Sequence, residues 1–123
     1  MNLNQVTISV IDMNKSISFY QKLGLELIVH THGDYARFFC PGGSTFSLHR
    51  TDDFKKGQSV VYFEVEDISS KYQELLQHGF NIESEPVDQS WLWTEFKILD
   101  PSGNELIIYH AGENRINPPW KIS

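Results

Sequence analysis

The sequence predicts an α+β fold: two βαβββ modules forming a cupped, mostly antiparallel sheet with helices on its outer face. Three observations predict it. First, the chain repeats itself, which is the earliest feature to look for in any sequence. Val6, Ile8, Val10 and Asp12 recur as Val61, Phe63, Val65 and Asp67, and the same register lays Gly24 over Gly79 and Leu25 over Phe80. Second, each of these alternating segments is followed by a segment with helical spacing. Third, both halves close on a Pro/Gly turn followed by another alternating strand, 41–49 in one and 101–109 in the other.

Taken in order, residues 6–12 alternate in character as a half-exposed strand does. The first helix is expected over 14–23, with Asp12 or Asn14 as its cap and Ile17, Phe19, Tyr20 and Leu23 as its apolar face. Gly24 ends it in a left-handed conformation. The second helix is expected over 69–78, capped by Asp67 or Ser69, burying Tyr72, Leu75 and Leu76 and stopping at Gly79. Module one covers 1–50, a polar linker 51–58 and module two 59–112. Pro118 and Pro119 exclude regular helix beyond, so 113–123 is expected as an extended tail.

Bulk properties narrow the function classes. At 123 residues, 40% hydrophobic and 21% charged, the chain is one ordinary globular domain able to bury a core without staples. Its net charge of −6 and the lack of any basic cluster argue against nucleic acid as a partner. No apolar run approaches a membrane span, and the N-terminus lacks a charged-then-apolar signal segment, so no membrane partner is expected. Cys40 is the only cysteine and forms no internal disulfide; with the missing signal segment this leads to a cytoplasmic expectation.

Strand parity assigns faces. If the helices cover Val6, Ile8 and Val10, then Gln5, Thr7 and Ser9 face the other way. The same reasoning leaves Thr45, Ser47 and His49 open in the fourth strand, and Val60, Tyr62 and Glu64 in the fifth. In the seventh and eighth strands it leaves Trp93, Glu95, Lys97, Glu105, Ile107 and Tyr109 open. The open side thus collects aromatic area with a few polar groups, the composition of a ligand pocket. Lys97, two residues from Glu95 on one face, is expected to pair with it. His78 is expected to cap its helix C-terminus, and Cys40 to be buried and inert.

The doubled module, the helix phrase from Asp12 to Gly24 and the turn Asp100-Pro-Ser-Gly-Asn104 resemble the glyoxalase/bleomycin-resistance/extradiol-dioxygenase superfamily. The resemblance implies a ligand in the hollow of the sheet, usually at a divalent metal held by His, Glu or Gln on the first and last strands of each module. Those positions here are Gln5, Ser47, Val60 and Ile107, and only Gln5 has the right chemistry. The stretch from Gln89 to Asn104, with Trp91 and Trp93, is similar to the metal-free, drug-sequestering branch.

The expectation is therefore a small-molecule-binding protein with no metal, no cofactor and no catalytic residue. It would hold an aromatic or cationic compound with Gln5, Ser47, His49, Tyr62, Glu64, Trp93, Glu95, Lys97, Ile107 and Tyr109. A metal-dependent lyase, isomerase or dioxygenase with ligands shifted to His49, Glu64 or Glu95 beside Gln5 is the alternative. A scaffold with a vestigial pocket is the third reading. The superfamily's habit implies a homodimer.

Overall fold

In the computed structural model, which describes residues 1–123, the repeat resolves into eight strands and two α-helices in two four-stranded sheets. In chain order the first set is β1 (Gln5–Val10), α1 (Met13–Leu23), β2 (Glu26–Thr31), β3 (Tyr35–Phe39) and β4 (Thr45–Arg50). The second is β5 (Val60–Glu64), α2 (Ile68–Gln77), β6 (Val87–Asp88), β7 (Thr94–Leu99) and β8 (Glu105–His110). Sheet A runs β1-β4-β3-β2 and sheet B runs β5-β8-β7-β6. In each, the first and last strands of the module pair in parallel and the other neighbours pair antiparallel. The chain divides into two compact units, Met1–Ser59 with Asp100–Asn104, and Val60–Leu99 with Glu105–Ser123.

Within the first unit, α1 starts where Asp12 accepts from the backbone N–H of Lys15 at 3.0 Å and ends at Gly24, whose φ of 112° suits glycine. Its buried face is Met13, Ser16, Ile17, Tyr20 and Leu23; Phe19 is only half-buried. Tyr20 packs on Phe38 and Phe46 of sheet A at centroid distances of 5.9 and 5.0 Å. Its hydroxyl donates to Asp100 Oδ2 at 2.7 Å. Asp100 Oδ1 also accepts from the backbone N–H groups of Ser102 and Asn104. Asn104 Nδ2 donates to Asp100 Oδ2 and to Ser9 O, both at 2.9 Å. The Asp-Pro-Ser-Gly-Asn motif is thus a buried polar hub whose groups are satisfied, as burial requires.

Within the second unit, Asp67 caps α2 through the backbone N–H of Ser70. His78 Nδ1 meets Glu74 O at 2.7 Å, the helix-end contact expected of it. Leu75 is the buried residue of α2, with Tyr72 edge-on to Phe96; Leu76 is 45% exposed, contrary to the sequence expectation. One step in the 3.6-residue period moves it off the narrow buried stripe. The second strand of this module is also reduced. Ile82, the repeat mate of Leu27, makes one isolated bridge to Ile98, and pairing resumes only at Val87. Pro86 interposes, and a proline offers no N–H to a ladder. The tail is not wholly extended: Gly112–Arg115 form a 3₁₀ turn before the prolines.

Candidate functional site

Register fixes which side chains share the uncovered face of each sheet. On sheet B, Tyr62, Ile107 and Lys97 form one row, and Glu64, Tyr109 and Glu95 the next. Trp93 lies one row further, with its backbone carbonyl accepting from Gln89 N–H. On sheet A, Thr7, Ser47 and Arg37 form one row, and Ser9, His49 and Tyr35 another. Within each sheet the residues expected to share a face do share one, although Val6, expected under the helix, is 41% exposed. Gln5, Ser47 and His49 stand on the first unit; Tyr62, Glu64, Trp93, Glu95, Lys97, Ile107 and Tyr109 stand on the second.

Sheet B carries an aromatic cluster. Trp93 and Tyr109 stack at 4.7 Å with 24° between their planes. Tyr62 stands edge-on to both, at 5.9 Å from Trp93 and 5.6 Å from Tyr109. Ile107, Tyr109 and Ala111 are buried with Trp93 against them, whereas Tyr62 is 49% exposed. Such offset and edge-to-face geometry matches the ring quadrupoles. Burial, aided by the charge of Glu64, pushes the Tyr109 phenol up, so it remains a neutral hydroxyl.

The two carboxylates of this face differ. Glu64 Oε2 accepts from the backbone N–H groups of Ala111 and Gly112 at 2.7 and 2.9 Å, and Arg115 Nε lies 3.7 Å from Oε1. Burial pushes its carboxyl up, but those N–H groups, then His110 and Arg115, outweigh it and hold it below the usual range. Glu64 is thereby committed to anchoring the chain after β8. Glu95 has one oxygen accepting from Gln89 Nε2 at 3.2 Å, while its Oε2 is buried with no partner. Lys97 does not pair with Glu95 as expected; it pairs with Glu105 across the β7–β8 ladder at 3.6 Å. Residues two apart on one strand stand nearly 7 Å apart, about as far as a cross-strand diagonal, so sequence proximity gives Glu95 no advantage over Glu105.

Sheet A carries a polar network. Gln5 Nε2 donates to Ser47 Oγ at 2.8 Å, and Gln5 Oε1 accepts from Thr45. Ser47 Oγ lies 2.7 Å from the Tyr35 hydroxyl, and Arg37 Nε donates to that hydroxyl at 2.9 Å. Burial pushes the Tyr35 phenol up, but the hydrogen bonds with Ser47 and Arg37 and the guanidinium charge bring it below its ordinary value. Parity reasoning on β4 found Ser47 and His49 but left β3 unread. The alternation in Tyr35-Ala-Arg-Phe, with Ala36 and Phe38 buried, was the available signal for Tyr35 and Arg37.

The superfamily metal does not fit this donor set. Val60 and Ile107 offer no lone pair, Ser47 is a neutral buried hydroxyl, and the Gln5 amide is engaged with Ser47 and Thr45. No three His, Cys, Asp or Glu side chains gather anywhere in the chain as a set able to hold an ion. Cys40, half-buried, has its thiol pushed up by burial despite a hydrogen bond with Ser44. No helix is long and apolar enough to cross a membrane.

The family described as the Glyoxalase/Bleomycin resistance protein/Dioxygenase superfamily matches residues 2–108. A probable trivalent organoarsenical cleaving enzyme of Bacillus subtilis is 29% identical, over 93% of this chain and 83% of its own length. A trivalent organoarsenical cleaving enzyme of a Bacillus species is 27% identical, over 97% and 81%. A glyoxalase/bleomycin resistance protein/dioxygenase from Nocardioides superposes with a TM-score of 0.81 at 21% identity, covering 100% of this chain and 90% of that one. A lactoylglutathione lyase from Agrobacterium tumefaciens gives 0.76 at 16% identity, covering 89% and 92%.

Proposed function

The chain belongs to the glyoxalase/bleomycin resistance protein/dioxygenase superfamily, and from that premise we propose that it binds a small molecule without a metal centre. The ligand class is a flat organic compound bearing a positive charge or an N–H donor, held on the uncovered face of sheet B. One observation carries this reading: the buried, unpartnered Oε2 of Glu95 lies on the same face as the Trp93–Tyr109 stack. A buried carboxylate oxygen without a donor costs free energy that a ligand N–H or cation recovers. Aromatic faces attract cations through their quadrupole by roughly 0.5–2 kcal/mol. Tyr62 supplies the exposed wall, Ile107 the apolar floor, and Lys97 is kept out of play by Glu105.

Quenching of tryptophan fluorescence by berberine, a planar quaternary ammonium, tests the reading, with 2-naphthoate as an anion of comparable flat area. Berberine is expected to bind, and Glu95→Gln and Trp93→Ala each to weaken it by about tenfold, the effect of one good contact. Equal binding of both compounds, untouched by either substitution, would refute the proposal.

A second reading rests on the two Bacillus relatives named as organoarsenical cleaving enzymes. Trivalent arsenic is a soft centre that favours sets of thiolates, and this chain has one thiol, Cys40, with its pKa raised. Incubation with a trivalent aryl arsenical is expected to release no inorganic arsenic. Release at a rate above the protein-free control would establish the second reading over the first.

A further inference from the structure

The uncovered face of sheet A carries hydrogen-bond donors that ligand binding on sheet B does not use. Ser47 is fully buried, and its Oγ lies 2.8 Å from Gln5 Nε2 and 2.7 Å from the Tyr35 oxygen. The Gln5 nitrogen also donates to the carbonyl of Val6, which accepts only, so that end of the amide is the NH₂. An amide nitrogen donates and does not accept, so the Ser47 proton has one destination, the Tyr35 oxygen. Arg37 Nε donates to the same oxygen at 2.9 Å. Both acceptor positions of the phenol are thus filled, and its own proton has no acceptor within the protein.

Arg37 is equally unfinished. The residue is half-buried, and its guanidinium engages Tyr35 through Nε and over the ring at 5.4 Å and forms no ion pair. Its terminal nitrogens, like the Tyr35 proton, are left without acceptors. His49, the register partner of Tyr35, adds a ring with no protein partner on the same face. The neighbouring carboxylate Asp34 is held by Arg50, and Glu26, on the Phe39 row, makes no ion pair with Arg37. The face therefore presents donors that no protein carboxylate pairs with, and a planar guanidinium fork matches an oxyanion in two-point geometry.

We propose that sheet A binds an oxyanion, a carboxylate or phosphate group of a small molecule, between the terminal nitrogens of Arg37 and the hydroxyl of Tyr35, which Ser47 and Gln5 hold in position. All of these residues lie in the first unit, so the inference stands or falls apart from the reading of sheet B.

NMR titration of the full chain with benzoate and with inorganic phosphate, at constant ionic strength, tests it through the Arg37 Nε–Hε cross-peak of the wild type and, in wild type and every variant alike, through the backbone amide peaks of β3 and β4. These peaks are expected to shift saturably with at least one anion. A preference for benzoate assigns the site to organic carboxylates, and a preference for phosphate assigns it to phosphate esters. Arg37→Met is expected to weaken binding by about tenfold or more, as loss of a charge-assisted pair does. Tyr35→Phe should weaken it several-fold, and Arg37→Lys should fall between wild type and Arg37→Met. Lys15→Met, on the exposed side of α1, removes the same charge and should change nothing. If Arg37→Met fails to fold, Tyr35→Phe and Arg37→Lys carry the test. No saturable shift with either anion, or equal losses from Lys15→Met and the sheet A variants, overturns the proposal.

Discussion

The Tyr20 hydroxyl meets a carboxylate eighty positions away in sequence. Burial, then the Asp100 charge and hydrogen bond, push its phenol well above the ordinary value, so it acts as a permanent donor. Tyr20→Phe removes one hydrogen bond and should cost about 1 kcal/mol of unfolding free energy. Asp100→Ala strips the acceptor from Tyr20, Ser102 and Asn104 together and should cost roughly 3 kcal/mol. Urea titration of both variants checks the ordering. Glu64 gives a pH signature. Its folded pKa is depressed below the ordinary 4.5, so its contribution is present above that value and lost as pH falls through the folded one. The Tm gap between wild type and Glu64→Gln should be widest at neutral pH and close in acid. A gap that persists or widens in acid would contradict that assignment. At this scale the sequence showed which residue types face outward but not which atoms are already engaged. Glu64 and Glu95 read alike in sequence; the backbone N–H groups of Ala111 and Gly112, with Arg115, distinguish them.

Among the elements, local chemistry was the most legible. Asp12 and Asp67 sit at the same place in the repeat and cap in the same way. Asp12→Ala and Asp67→Ala should each cost about 1 kcal/mol in denaturant titrations. A cost near zero for both would show that packing alone holds the helices. Parity placed Trp93, Tyr62 and Tyr109 on one face because alternation is a property of a single strand. Pair identities were not legible, because strand order is not local. β4 and β8 each run between the first and third strands of their modules, and this brings Ser47 to Tyr35 and Glu105 to Lys97. The shortened β6 was missed because the repeat register runs smoothly to Ile82, and the proline that breaks the strand comes after it.

For the whole molecule, the superfamily assignment rests on a match over residues 2–108, and the two four-stranded sheets accord with it. It carries the fold further than it carries the chemistry. The positions expected to hold a metal contain Val60 and Ile107, and the polar groups that remain are engaged with one another or uncommitted. We propose a homodimer, because β1 and β5 are edge strands whose Val6 and Val60 are 41% and 47% exposed. Sedimentation velocity should return twice the mass of one chain. A single-chain mass at micromolar concentration would rule the dimer out.

Ligand capture by sheet B is proposed to proceed without an ion. Calorimetric titration of berberine into protein dialysed against EDTA, set beside protein saturated with a divalent transition metal, addresses this directly. Equal affinity in the two preparations is the predicted result. Binding that vanishes with the chelator and returns with the metal would contradict it.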